Sequence, residues 1–379
     1  MKTETTPILQ FGTSRFLLAH ADLFVSEAMA TGNAVGPITV VQTTGNPDSV
    51  RRLAALRSGN GYPVRIRGLV GGKRIDEERH GRAVTRALFA GTDWEKVREA
   101  AIAAEIILSN TGDRGFGLSD ADDRRLLDDY ARVPISFPAK LTVLLFERWQ
   151  MRPDAPLSIF PCELVARNGD RLGALIREIA TDWNVPPAFV DYLDLRCRFA
   201  NSLVDRIVSE PIEPVGAVAE PYAIWAVEKQ EGLSLPCRHP SIVLTDDLDR
   251  FERLKLHVLN LGHTYLAERW LVGARPAAET VLDIMGDAAV RDELEAIWQD
   301  EVLPVFAADG IGREAADYID QVRDRFLNPY LAHRLADIAG NHSEKKRRRL
   351  APMIERAQTL GLPIAQPRLH AAMESNNVQ

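Results

Sequence analysis

The sequence predicts an α/β chain: an N-terminal doubly wound parallel sheet with an antiparallel insertion, followed by a mostly α-helical C-terminal domain. Three observations carry this prediction. Short apolar, β-branched runs alternate with helical patterns over the first half, as a parallel sheet covered on both faces requires. The stretch around residues 64–72 interrupts that alternation with a hairpin pattern. Beyond Asp246 strand signals fade and helical periodicity takes over. The shift sets the boundary near 240–250 and divides the chain into domains at 1–245 and 246–379. At 379 residues the chain has length for two or three domains.

Pro7 to Phe11 reads as a short buried strand, followed by Gly12-Thr13-Ser14 and a helix. Leu17, Ala21, Phe24 and Ala28 give that helix one apolar face, with Thr13 or Ser14 as N-cap. Ile38–Gln42 is a β-branched strand, and Asn46-Pro47 opens a second helix with proline in its first turn. Val64, Ile66 and Val70 alternate, and Gly71-Gly72 marks a hairpin turn. Thr92 and Glu95 have the spacing of a capping box for a helix to Ala103. Residues 105–109 and 157–161 read as further buried strands, with a helix around residues 141–149 between them. In the second half, residues 251–270 form one long helical pattern, and 277–306, 313–340 and 343–360 read as further helices.

Composition narrows the function classes. Hydrophobic residues make up 46% and charged residues 26%, ordinary for a folded chain with a sizeable core. The net charge of −7 argues against a nucleic-acid partner. Three cysteines, Cys162, Cys197 and Cys237, cannot form a disulfide framework, and no zinc-type spacing is present, so no metal is expected. The polar N-terminus does not read as a signal peptide, and no apolar run is long enough to span a bilayer. The expectation is a cytoplasmic enzyme with no membrane partner, as a monomer or a dimer.

Gly12 follows the first strand and opens the first helix, where a dinucleotide fingerprint belongs. A tight turn there lets backbone N–H groups and a helix N-terminus meet a pyrophosphate. Gly12 matches the first glycine of G-x-G-x-x-G, while Ser14 and Leu17 replace the others. Gly12, Thr13, Ser14 and Phe16 are therefore candidate cofactor residues. The acid expected after the second strand is replaced by Gln42, which leaves NAD or NADP open. Arg51 and Arg52 nearby read as a solvated helix face.

Lys255, Asn260 and His263 lie in an otherwise apolar helix, where buried polar groups need partners or a task. At about 100° per residue, Asn260 lies about 140° and His263 about 80° from Lys255, and the rise separates lysine from histidine by about 12 Å. Burial would lower the lysine pKa and make it a usable acid–base group. A structural lysine, a capping asparagine and a core histidine are the alternative. Asp205-Arg206 taken alone reads as a buried ion pair. The run Lys345–Arg349 reads as a solvated helix end.

Together these segments resemble the long-chain polyol dehydrogenase (mannitol dehydrogenase) family. The carrying residues are ILQFGTSRFL at 8–17, LSNTGDRGF at 108–116, SFPAKLT at 136–142, PCELVARNGD at 161–170, NSLVDRIV at 201–208, KLHVLNLGHT at 255–264 and RFLNPYLAHRL at 325–335. PCEL with NSLVDRI is most similar to the tagaturonate/fructuronate (mannonate) reductase branch. The resemblance implies a Rossmann-type N-terminal domain, a helical C-terminal domain and metal-independent hydride transfer with NAD, NADP staying open. It implies Lys255 as general acid–base, Asn260 as stabiliser of the developing alkoxide and His263 as a substrate-orienting group. It also implies Asn110 and Val204 at the cofactor, and Asp205, His333 and Arg334 at the substrate. Leu164 stands where mannitol dehydrogenases carry an asparagine, and Ser14 and Leu18 also depart from the family pattern. The expected reaction interconverts a keto sugar acid and its hydroxy acid. A mannitol- or arabinitol-type polyol dehydrogenase and a non-catalytic dinucleotide sensor are the alternatives.

Overall fold

A computed structural model describes residues 5–112 and 115–375, so Asp113 and Arg114 of the second motif lie outside the described residues. The chain divides into two compact units. One comprises residues 1–66, 77–219 and 223–248, the other residues 67–76, 220–222 and 249–379. Residues 67–76 and 220–222, which a cut at 245 assigns to the first domain, thus cluster with the second.

The first unit is built on a six-stranded sheet in the order Val84–Phe89, Ile38–Gln42, Ile8–Phe11, Ile106–Ser109, Leu157–Pro161, Cys197–Phe199, with every neighbouring pair parallel. Ile8–Phe11 and Ile106–Ser109 are buried at every position, as strands covered on both faces must be. Strand order reverses between these two strands, which opens a crevice at their carboxyl ends. The covering helices obey local signals. Asn46 caps Pro47–Arg57 by accepting from the Ser49 N–H, and Ser136 caps Phe137–Met151.

The insertion strands Tyr62–Val70 and Lys73–Gly81 lie side by side in a four-stranded sheet. They are joined by Gly71 and Gly72, both at positive φ (57° and 72°), as a two-residue hairpin turn demands. This sheet is not wholly antiparallel, because Ala217–Ala219 runs parallel to Val64–Ile66. A three-stranded sheet places Ser202–Asp205 antiparallel to Ile224–Glu228.

Two local predictions need correction in this unit. The first helix is broken into Arg15–Leu18 and Ala21–Ala30, because His20 leaves helical geometry to meet the Ile224 carbonyl at 3.0 Å. Thr92 does not cap Trp94–Ala103. Asp93 takes that position, but its carboxylate is engaged by the Phe89 N–H (2.9 Å) and Arg57 (2.6 Å) rather than by the helix.

The second unit is helical around a core that includes Leu261, Trp298, Val302, Ile319 and Phe326. The long helix predicted over 251–270 is continuous but not uniform. It runs as Leu248–Leu254, then a π-helical segment Lys255–Asn260, then Leu261–Val272. A second π segment, Ile297–Val302, precedes Pro304. A proline inside a helix lacks the N–H that the carbonyl one turn back expects, and a widened turn absorbs that defect. No helix among the described residues is long and apolar enough to cross a membrane.

Candidate active site

In the first unit the candidate cofactor residues converge at the crevice. Gly12 has φ of 108°, and a Cβ there would lie 2.7 Å from the Asn110 carbonyl oxygen, so only glycine fits the turn. Thr13 is buried and donates its hydroxyl to Gln42 Oε1. The Gln42 amide nitrogen is held by the Thr44 carbonyl (3.0 Å) and hydroxyl (2.6 Å). Ser14 Oγ accepts the Leu17 N–H (3.3 Å) and lies 3.4 Å from Asn110 Oδ1, so it serves as helix cap and bridge at once. Phe16 stacks on His20 with ring centroids 4.8 Å apart. Arg51 pairs with Asp48 on the surface as expected. Arg52 does not stay solvated, because it donates to the Thr13 carbonyl at 3.2 Å.

Asn110 leads into a buried network that the sequence did not single out. Its amide donates to the Cys162 carbonyl at 2.8 Å. Glu163 accepts from the Thr111 N–H and hydroxyl, both at 2.9 Å, and from Ser109 Oγ at 3.1 Å. Burial raises its carboxyl pKa despite these donors. Asn168 donates to the carbonyls of Pro161 (2.9 Å), Glu163 (3.2 Å) and Ser202 (2.9 Å), and accepts the Ser202 N–H. Three motifs far apart in sequence are thereby tied together, and strand Ser202–Asp205, carrying Val204 and Asp205, is anchored to the end of Leu157–Pro161. Arg206 donates to the Ala19 carbonyl at 2.6 Å, a partner the ion-pair reading of Asp205-Arg206 did not anticipate.

In the second unit the π segment changes the geometry of the polar triad. A helix closed by i→i+5 bonds advances about 80° per residue instead of about 100°. Over five residues this brings Asn260 from about 140° to about 40° from Lys255, and His263 from about 80° to about 20°. All three therefore share one side of the helix. The carbonyls of the widened turn find outside donors. Trp298 Nε1 donates to Val258 O (3.3 Å), while Thr264 Oγ1 (2.9 Å) and Arg349 (3.4 Å) donate to Asn260 O.

His263 is buried, stacks on Phe326 at 4.5 Å and meets His333 edge-on at 4.8 Å, so the structure unites two of the predicted substrate residues. Burial lowers the His333 pKa, Asp337 opposing and Arg325 and Lys345 reinforcing the shift. Lys255 is half-buried rather than enclosed, and Arg334 is exposed at the start of Leu335–Ile338.

The basic run is a solvated helix end only in part: Arg347 and Arg348 are exposed, but Lys346 is not. Lys346 is buried and donates to the carbonyls of Ala372 (2.7 Å) and Ser375 (3.0 Å), with Glu268 at 3.3 Å. Arg349 donates to Thr264 Oγ1 at 2.9 Å. Among the described residues no cluster of three or more His, Cys, Asp or Glu side chains could hold a metal.

Comparison with known proteins places the chain in a family. Residues 6–235 match the family model of the mannitol dehydrogenase Rossmann domain, and residues 247–373 match that of the mannitol dehydrogenase C-terminal domain. An altronate oxidoreductase of Halalkalibacterium halodurans is 31% identical over 369 residues, covering 91% of this chain and 69% of that protein. One from Klebsiella pneumoniae is 32% identical over 373 residues, covering 92% and 74%. A substrate-free D-sorbitol dehydrogenase superposes with a TM-score of 0.80 at 20% identity, covering 97% of this chain and 80% of that one. Pseudomonas fluorescens mannitol 2-dehydrogenase, solved with NAD and D-mannitol, superposes with a TM-score of 0.72 at 18% identity, covering 98% and 79%; at such identities the likeness is one of fold. With both domain models matched in order along its length, the chain belongs to the mannitol dehydrogenase family.

Proposed function

We propose that the chain is an NAD-dependent oxidoreductase that interconverts a keto sugar acid of the tagaturonate or fructuronate type and its hydroxy acid. The altronate oxidoreductases among its relatives support the substrate class. The observation that carries the reading is the widened turn Lys255–Asn260, which sets an amine, an amide and an imidazole on one side of an apolar helix.

The residues of the first unit fit a nicotinamide dinucleotide. Gly12 leaves the turn bare at the strand-order reversal, Ser14 and Asn110 are pre-positioned there, and Arg52 backs the turn with a cation. Gln42, already bonded to Thr13 and Thr44, presents no negative charge where a ribose acid is usual. Bound there, the nicotinamide ring supplies or accepts the hydride.

The chain's own residues manage the proton. In oxidation the neutral Lys255 amine takes the hydroxyl proton while the C–O bond becomes a carbonyl; in reduction the ammonium returns it to the oxygen. The Asn260 amide donates to the oxygen as negative charge develops on it. His263, held between Phe326 and His333, orients the neighbouring hydroxyl groups. Balance is complete: the carbinol carbon loses a hydride, its oxygen loses a proton, and no other reactant is needed.

The test is a nicotinamide-absorbance assay with NADH and NADPH against a panel of keto sugar acids and ketoses. Oxidation of NADH by keto sugar acids is expected. Turnover of mannitol or arabinitol with keto acids ignored would replace the substrate class. Dinucleotide binding without any turnover would replace the enzyme by a sensor.

A further inference from the structure

The tip of the insertion hairpin makes more specific contacts than a surface turn needs. The N–H groups of Gly71 and Gly72 donate to the two carboxylate oxygens of Asp324, at 2.6 and 3.0 Å. Asp324 stands in the last turn of helix Gly312–Phe326, where the helix dipole disfavours a negative charge. Two converging N–H donors offset that penalty, which gives the carboxylate a reason to be there.

The remaining contacts fall on the loop that follows. The Arg67 guanidinium lies 4.0 Å from the centre of the Tyr330 ring and pairs with Asp76 at 3.3 Å. The Arg67 carbonyl accepts from Asn328 Nδ2 at 3.3 Å, and Asn328 in turn holds the Tyr330 N–H at 3.0 Å. A Cβ on Gly68 would come within 2.6 Å of Pro221 and 3.0 Å of Asn328, so hairpin and loop are closely fitted. Three residues beyond Tyr330 stands His333, whose ring meets His263.

We propose that Arg67 and the Gly71-Gly72 turn are positioning elements that clamp the segment from Asp324 to Tyr330 and thereby fix the His333 imidazole against His263. The proposal rests on the reading of His263 and His333 as substrate-side groups, and it extends that reading to a part of the chain with no chemical role of its own. A clamp made of a stacked cation and a carboxylate held by two N–H groups restrains the loop without touching substrate. Its removal acts on the side of His263 that faces His333, and His333 is the group through which it is read.

Two arms test the proposal. The first needs no turnover: the imidazole signals of His333, assigned by their loss in His333→Gln, are followed by NMR through a pH titration. In Arg67→Ala the ring is expected to lose its ordered edge-on contact and titrate closer to an ordinary histidine as it regains solvent. Arg67→Lys, which keeps the charge for Asp76 but not the flat stacking surface, is expected to fall between. An unchanged His333 titration in both variants, in protein that melts as wild type, overturns the clamp.

The second arm is a double-mutant cycle on KM for a keto sugar acid. Arg67→Ala is expected to raise KM about tenfold with kcat within about twofold, and to add nothing in the His333→Gln background. Additive effects overturn the proposal, because they mean that Arg67 does not act through His333. If wild type turns over no sugar acid, the substrate reading fails while the NMR arm still decides the clamp.

Discussion

Replacing Asp22 by asparagine is expected to stabilise the protein at alkaline pH and leave it nearly unchanged in acid. Asp22 is fully buried beneath the glycine turn. It accepts from Gln10 Nε2 at 3.3 Å and from the Tyr62 hydroxyl at 3.4 Å, while Gln10 Nε2 also reaches the Gly12 carbonyl at 3.2 Å. Burial raises the Asp22 pKa from an ordinary 3.8 to about 7, and the two donors recover only part of that cost. Among the described residues, Gln10 Oε1 and Asp22 Oδ1 are both buried acceptors without a hydrogen-bond partner, the condition that a proton on the acid relieves. A gap of about three pH units at about 1.4 kcal/mol each is worth about 4 kcal/mol. Because the folded pKa lies above the unfolded one, this stability is complete below pH 3.8 and is lost as pH rises towards about 7. Asparagine copies the protonated acid, accepting from Tyr62 and offering an N–H to Gln10, and does not titrate. Urea unfolding followed by tryptophan fluorescence at about pH 4 and about pH 8 measures the difference. The variant is expected to gain up to about 4 kcal/mol over wild type at the higher pH and little at the lower. Equal destabilisation at both pH values would refute the argument.

Three other substitutions probe the site directly. Lys255→Ala is expected to lower kcat by about 10²- to 10⁴-fold, the usual worth of a general acid–base, with dinucleotide affinity within about threefold by titration calorimetry; turnover like wild type removes lysine from the mechanism. Gly12→Ala places a methyl 2.7 Å from the Asn110 carbonyl at a φ of 108°, so dinucleotide affinity is expected to fall at least about tenfold; unchanged affinity would show that the turn does not form the cofactor seat. Arg349→Met removes donors to Thr264 Oγ1 and the Asn260 carbonyl and is expected to cost about 1–3 kcal/mol of stability, with a lowered kcat, in denaturation and rate measurements made together.

The parts legible in the sequence are those set by local physics. Strands such as Ile38–Gln42 announce themselves because a strand buried on both faces is built mainly from apolar and β-branched residues. Asn46-Pro47 and Gly71-Gly72 announce themselves because a helix start and a two-residue turn each demand particular residues. The parts that were not legible depend on partners far away. Lys346 looks solvated in a run of five cations, yet Glu268, Ala372 and Ser375 enclose its amine from other segments. Thr92 has capping-box spacing, but the adjacent Asp93, drawn to Phe89 and Arg57, starts the helix one residue later. Glu163 and Asn168 lie inside the segment PCELVARNGD with no role legible there, because nothing local says that one residue gathers Ser109 and Thr111 and the other gathers Pro161 and Ser202.

The widened turn at Lys255–Asn260 shows most clearly how distant partners shape the candidate chemistry. With α-helical spacing throughout, the amine and the amide would face directions about 140° apart, too divergent to hold one oxygen atom between them. The π segment corrects that divergence at the cost of backbone carbonyls whose regular helical bonds are displaced. Left buried and unpaired, such groups would each cost about 1–3 kcal/mol, enough to return the segment to regular α-helix. Trp298 meets the Val258 carbonyl, and Thr264 and Arg349 meet that of Asn260. The supporting groups come from the same helix, from residue 298 and from residue 349, so the orientation of the amine and amide is written across the whole C-terminal sequence. On this reading the apolar neighbours and the basic helix matter to catalysis without approaching substrate, because they decide which way Lys255 and Asn260 point.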